Sequence, residues 1–223
     1  MRKKVILVTG TERSGTHLAT KLVYAMTHGL EYGKGWSGDL DSPDDGPVRV
    51  THRSLPCGPD PTKGKPMPEG WEKWSLWIDG RGHYVDLNKW ADFYKDYDRQ
   101  VVVITRCPAI CALARVRTFG GTIENRTKQG SHGQEIIASW LEGSSEKITL
   151  VSYETLCALK GAYLLRIAEE INSGGTDVPW INIDSEHIKR LGASIVSGNP
   201  KYILDKPPSG QTVPPAPNNL EKL

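Results

Sequence analysis

The chain has 223 residues and carries 28 Lys plus Arg against 26 Asp plus Glu, a formal net charge of +2. That balance excludes the strongly basic footprint of a dedicated duplex binder and the acidic excess of a solvating tail, and the length suits one domain, or one with ragged ends. The longest apolar runs, Val5 to Val8 and Val101 to Ile104, are far too short to span a bilayer, and the stretch behind Arg2, Lys3 and Lys4 stops at Thr9-Gly10, too soon for a signal-peptide core.

In chain order, Val5–Thr9 reads as a nearly all-apolar strand, and Thr16–Thr27 places Leu18, Leu22, Val23 and Met26 at helical spacing. Val48–Thr51 is a short strand. Residues 54–72 hold Pro56, Pro59, Pro61, Pro66 and Pro68 among glycines, which predicts a long surface loop. Trp74–Ile78 is another strand and Leu87–Tyr97 a helix. Gln100–Thr105 is a strand with a β-branched centre, followed by Pro108 in the first turn of a helix over Ala109–Arg117. The polar stretch 120–133, with Lys128 and His132, reads as a mobile lid, and Gly133–Glu142 as a helix. A strand at Lys147–Val151, a long amphipathic helix at Glu154–Ile171 and a last helix at Ser185–Ala193 complete the folded part.

Strands alternating with helices predict an α/β fold, with a mostly parallel central sheet and helices on both faces. One domain is expected over 1–205, and the Pro-rich end, 206–223, is expected to be a flexible tail. Four cysteines, Cys57, Cys107, Cys111 and Cys157, include no C-x-x-C pair, which points to a reduced, cytoplasmic protein. Cys107 and Cys111 lie one helical turn apart, but no further ligands accompany them, so no metal is expected.

In α/β sheets ligands gather at the carboxyl ends of strands. The first strand-to-helix turn here is Gly10-Thr11-Glu12-Arg13-Ser14-Gly15-Thr16-His17. Its glycines let successive N–H groups converge, and the helix that follows adds its positive end, so the loop suits a phosphate. The bland alternative is a tight turn. A nucleoside triphosphatase would place Lys and then Ser or Thr directly after the second glycine, to reach the β/γ-phosphates and Mg²⁺. This chain has Thr16 and His17 there, and its cation, Arg13, comes before the glycine.

A strand followed by Arg13-Ser14-Gly15-Thr16 resembles the 5′-phosphosulfate loop of sulfotransferases that use 3′-phosphoadenylyl sulfate (PAPS). Three further segments are similar to that family in the expected order. Val101 to Ile104 leads into Thr105-Arg106-Cys107-Pro108, similar to the family's Arg-x-Pro at a strand end. The resemblance implies that Arg106 contacts the 3′-phosphate, a suitable task for a permanently charged guanidinium. The family's serine eight positions on is Ala114 here, which leaves Arg115, Arg117 or Thr118 as nearby substitutes. Val50-Thr51-His52, with Leu55-Pro56 shortly after, resembles Lys-Thr-His-Leu-Pro, which implies that His52 is the base acting on the acceptor. Val50 replaces the lysine, and Arg53-Ser54 is an insertion. Ile148 to Leu156 resembles a strand ending in Tyr-Glu-Asp-Leu, which implies that Tyr153 lies at the adenine. The family's adenine-side Trp after the loop is Leu18 here.

The resemblance spans about residues 5 to 172 and implies a P-loop-like, three-layer fold and sulfuryl transfer from PAPS to a hydroxyl or amine. The amides of Ser14, Gly15 and Thr16, with neighbouring His17, would hold the 5′-phosphate, and Arg13 would neutralise charge on the bridging oxygen. His52 would take the acceptor's proton. The expected acceptor is a small molecule or glycan, with no nucleic-acid polymer and no membrane as partner, in a pocket built from residues 29–47 and 54–72. Two rivals stay open. One is a small Mg-ATP-dependent P-loop kinase, with Asp79 closing the Trp74–Ile78 strand as its magnesium ligand. The other is a catalytically silent nucleotide-binding module. His83 and Asp86 are further candidates to face the acceptor.

Overall fold

Val5, Ile6, Leu7 and Val8 are all fully buried, so the segment they form must be covered on both faces. The computed structural model describes residues 2–38, 41–43, 46–56, 75–78, 82–159 and 161–171, all within the first of the two units into which the chain divides, Met1–Ile181. The elements are β1 (Lys4–Thr11), α1 (Thr16–His28), β2 (Val48–Leu55), β3 (Ser75–Ile78), β4 (Gly82–Val85), α2 (Leu87–Phe93), β5 (Asp98–Thr105), α3 (Pro108–Phe119), α4 (Ile123–Glu142), β6 (Lys147–Ser152), α5 (Tyr153–Leu159) and α6 (Gly161–Glu170).

Four strands form one parallel sheet in the order β2-β1-β5-β6. Alternate residues of a strand point to opposite faces, and here both faces are apolar. Val5, Leu7, Val101 and Val103 join a cluster with Leu87 and Trp90 of α2 and Ile137 of α4. On the other face Val102 and Val151 sit among Leu22, Val23 and Met26 of α1, Leu156 of α5 and Leu164 and Ile167 of α6. The fold is therefore α/β in three layers, with the parallel sheet in the middle, and the β1–α1 turn opens at the carboxyl edge of that sheet.

Several boundaries differ from the sequence reading. β2 runs on through Arg53, Ser54 and Leu55, residues assigned to loop or insertion. Arg53 can occupy a strand interior, only 1% exposed, because its Nη2 meets Asp41 Oδ1 at 2.8 Å and its Nη1 donates to the His52 carbonyl at 2.7 Å. Residues 41 and 42 strap the β2 edge: Asp41 bridges Thr51, and the Ser42 amide donates to the Val50 carbonyl. The helix expected to Tyr97 stops at Phe93, and Asp86 caps its start by accepting from the amides of Asn88 and Lys89.

The expected lid is the first half of α4, started by Thr122, whose hydroxyl accepts from the Asn125 amide. There Lys128 pairs with Glu124, and His132 pairs with Glu135 and packs edge-on against Tyr84. The long helix expected from Glu154 is two helices, α5 and α6. Among the described residues β3 pairs with β4 alone, antiparallel, in a separate two-stranded sheet. Most of the Pro-rich loop, Asp79, the 185–193 helix and the tail lie outside the described residues, as does the side chain of His83.

Candidate active site

The turn after β1 is built from short backbone bonds. The Glu12 amide donates to the Leu55 carbonyl at 3.0 Å, and the Ser14 amide to the Thr11 carbonyl at 2.9 Å. The first intrahelical bond of α1 runs from the Ala19 amide to the Gly15 carbonyl at 2.9 Å. The amides of Thr16, His17 and Leu18 thus precede the helical ladder, the usual condition for an anion site. The Ser14 amide does not join them, because Thr11 has it. The Ser14 side chain is fully buried, and its Oγ has no hydrogen-bond partner among the described residues.

The backbone of the turn is specialised. Gly15 has φ 100°, and a Cβ there would lie 2.6 Å from the Tyr153 ring. Arg13 has φ 71°, the one positive value at a non-glycine residue among those described. Such conformations cost roughly 1–3 kcal/mol and persist where surroundings enforce them. The floor of the turn is an ion pair. Glu12 Oε2 lies 3.2 Å from Arg115 Nε, and Arg115 also donates to the Arg126 carbonyl and to Gln129 Oε1. Burial pushes the Glu12 carboxyl above its usual range, and Arg115 offsets this only in part. Arg115 is thereby occupied and does not replace the serine missing at Ala114. Thr118 donates to the Ala114 carbonyl along its own helix, and Arg117 is exposed.

His52 stands next to this turn. Its Nδ1 meets the Gly38 carbonyl at 3.1 Å, and its Nε2 meets Ser54 Oγ at 3.0 Å. Ser54 Oγ in turn lies 2.7 Å from Thr16 Oγ1, at the first residue of α1. A carbonyl only accepts, so the Nδ1 that meets Gly38 carries a proton. Gly38 can come this close because it has φ 88° and no Cβ, which would fall 3.2 Å from His17 Nε2. The exposed His17 ring is edge-on to His52 at 5.9 Å. Ser54 and Gly38 were missed in the sequence. Ser54 follows His52 by two positions, the spacing that puts both on one face of a strand, and extending β2 would have revealed it.

On the other side, Arg106 leaves the end of β5. Its Cζ lies 4.2 Å from the Tyr153 ring centroid, and its Nη1 donates to the Arg13 carbonyl at 3.3 Å. Tyr153 is 7% exposed, with Gly15 against its edge and Arg106 over its face. It forms a wall of the loop, and its face is not open for a base to stack on. The Arg13 side chain leans over Phe119, 5.3 Å from the ring. The structure thus gathers Arg13, Ser14, Gly15, Thr16, His17, His52, Arg106 and Tyr153 around one turn. No group of three or more His, Cys, Asp or Glu among the described residues is arranged to hold a metal ion. No described helix is long and apolar enough to cross a membrane. A recess of about 930 Å³ lies between α2 and α4 and includes none of these side chains.

No protein-family model matches the chain, and no curated protein matches it in sequence. Among solved structures, retinol dehydratase in complex with androsterone and inactive cofactor PAP aligns at 13% identity with a TM-score of 0.44. Retinol dehydratase in complex with retinol and PAP aligns at 12% identity with a TM-score of 0.39. Both alignments cover 87% of this chain, and the chain spans 65% of the length of those structures. At such values the functional reading rests on the site's own geometry.

Proposed function

We propose that the chain transfers a sulfuryl group from PAPS to a hydroxyl or amine of a small-molecule or glycan acceptor. The observation that carries this reading is the bridge from His52 through Ser54 to Thr16, with steps of 3.0 and 2.7 Å. It sets a carbonyl-oriented proton acceptor two hydrogen bonds from the start of an anion-binding helix.

The residues suit this donor. The buried, unpartnered Ser14 hydroxyl and the amides of Thr16 and His17 fit a 5′-phosphate. Arg106 is the permanent cation for a 3′-phosphate. The donor supplies an activated sulfur–oxygen bond. Around it Arg13 neutralises charge as the bridging oxygen leaves, and His52 Nε2 receives the acceptor's proton. In-line transfer of this kind needs positioning and charge stabilisation rather than a protein nucleophile. The kinase alternative is weakened. It needs a magnesium carboxylate at a sheet strand near the loop, but the strands flanking β1 end at Leu55-Pro56 and Arg106, and β3 stands in a separate hairpin.

A thermal-shift titration of the full chain tests the reading. Adenosine 3′,5′-bisphosphate at a hundred times its Kd should stabilise the fold by about 2.7 kcal/mol, and Mg-ATP should do little. Stabilisation by Mg-ATP alone would overturn the proposal. Tight binding of the bisphosphate with no sulfuryl transfer to any of a broad panel of hydroxyl and amine acceptors would favour the silent binding module.

A further inference from the structure

β2 is an outer strand of the four-stranded sheet, and two of its outward carbonyls are met from elsewhere. The Ser42 amide donates to the Val50 carbonyl at 2.8 Å, and Arg53 Nη1 donates to the His52 carbonyl at 2.7 Å. The same guanidinium donates from Nη2 to Asp41 Oδ1 at 2.8 Å. Ser42, 2% exposed, also accepts from the Val50 amide at its Oγ, at 3.0 Å. Three positions before Asp41 stands Gly38, whose carbonyl meets His52 Nδ1 at 3.1 Å. Three residues reach at most about 11 Å, so anchoring Asp41 and Ser42 to the strand edge limits where the Gly38 carbonyl can go. One guanidinium thus holds the backbone of His52 and the anchor of the carbonyl that meets its ring.

We infer that Asp41 and Arg53 are positioning residues that clamp His52 at both ends, Arg53 at its backbone and Asp41, by way of Gly38, at its ring. Neighbouring residues of a strand face opposite ways, so the Arg53 side chain leaves β2 on the side away from the His52 ring and acts only through the strand edge. A guanidinium 1% exposed needs a carboxylate whatever its task, and any carboxylate within reach would meet that need. The one it has belongs to the stretch that orients the histidine. The clamp rests on the sulfuryl-transfer reading above, in which a base displaced by 1 Å costs roughly 10²-fold in rate.

The test is NMR of the full chain without ligand, followed by kinetics. In the wild type the His52 Nδ1 proton should give a signal protected from exchange with water. Asp41→Ala should lose that signal while the Val102 and Val103 amides of β5 stay in place, and Asp41→Asn, whose oxygen still accepts from Arg53, should keep it. With PAPS and whichever hydroxyl or amine acceptor turns over fastest, Asp41→Ala should lower kcat by up to roughly 10²-fold and leave the KM for PAPS unchanged. A protected Nδ1 proton in folded Asp41→Ala, or its loss with kcat unchanged, would overturn the clamp. Asp41→Ala takes the carboxylate from a buried guanidinium and can unfold the chain, so the wild type supplies a second measure. With ring and strap held as one, protection of the Nδ1 proton and of the Ser42 amide should agree within about tenfold, and a wider gap would overturn the clamp. No transfer by the wild type to any acceptor would overturn the proposed function, with the clamp still decided by the Nδ1 proton.

Discussion

The two flanks of the β1–α1 turn hold their polar groups in different ways. On the β2 flank, both ring nitrogens of His52 are fixed by hydrogen bonds to Gly38 and Ser54, and the strand beneath is locked by Arg53 and Asp41. On the β5 flank, Arg106 lies over the Tyr153 ring and gives one 3.3 Å bond to the Arg13 carbonyl, so most of its five donors remain for other acceptors. A group that must take a proton along one line benefits from a fixed ring. A group that grips a phosphate needs charge and spare donors more than a fixed pose. Under the proposed function the contrast fits chemistry on the first flank and binding on the second.

His52→Ala is the most severe way to break the contrast. Turnover should fall by roughly 10²–10⁴, while the affinity for adenosine 3′,5′-bisphosphate, measured by calorimetry, stays within a factor of two or so. Turnover equal to the wild type's would remove the β2 flank from the chemistry. Arg106→Ala should do the reverse, weakening the bisphosphate by about 1.5–3 kcal/mol and leaving adenosine 5′-monophosphate unaffected. An equal loss for both ligands would move Arg106 to the phosphate they share.

A smaller effect is expected from Tyr153→Leu, which keeps apolar bulk against Gly15 and removes the aromatic face. Loss of that face should cost about 0.5–1 kcal/mol of bisphosphate affinity. In a double-mutant cycle with Arg106→Ala the two losses should not add. If Tyr153 stacks on adenine instead, adenosine 5′-monophosphate will weaken by as much as the bisphosphate.

Which parts of this site the sequence discloses follows from the range of the interactions involved. β1 and β5 are uniform apolar runs covered on both faces, and a local pattern carries that information. The turn between β1 and α1 is equally local. β2 was cut short because Arg53 reads as a surface residue, and its partner Asp41 is 12 positions away on a strap with no pattern of its own. With β2 shortened, Ser54 fell into the Pro-rich loop, and its bond to Thr16 across 38 positions could not be foreseen. The first half of α4 failed for a different reason. Its residues, all exposed or half-buried over 123–132, read as a polar stretch with no apolar stripe, and Gly133 behind them has no Cβ because one would lie 2.8 Å from the Leu55 carbonyl. Close packing of α4 on the end of β2 selects that residue, and propensity alone cannot show it.

Beneath both flanks, the Glu12–Arg115 pair gives the finest test, through pH. Glu12 is buried, and burial raises its pKa more than Arg115, Arg13 and Arg126 together lower it. An acid with a higher pKa in the folded chain holds its proton there after the unfolded chain has lost it. Between the ordinary carboxylate value, about 4.3, and the raised folded value, the folded state binds more protons, so stability declines as pH rises through that window. Glu12→Gln keeps a side chain that can accept from Arg115 and has no proton to lose, so its urea midpoint should stay flatter from about pH 4 to pH 7. A wild-type midpoint that climbs relative to that of Glu12→Gln over the same range would mean that the attraction of Arg115 outweighs burial. The turn would then be held by a charged pair in full, and its rigidity would share the salt dependence of that pair instead of being insulated by the protein around it.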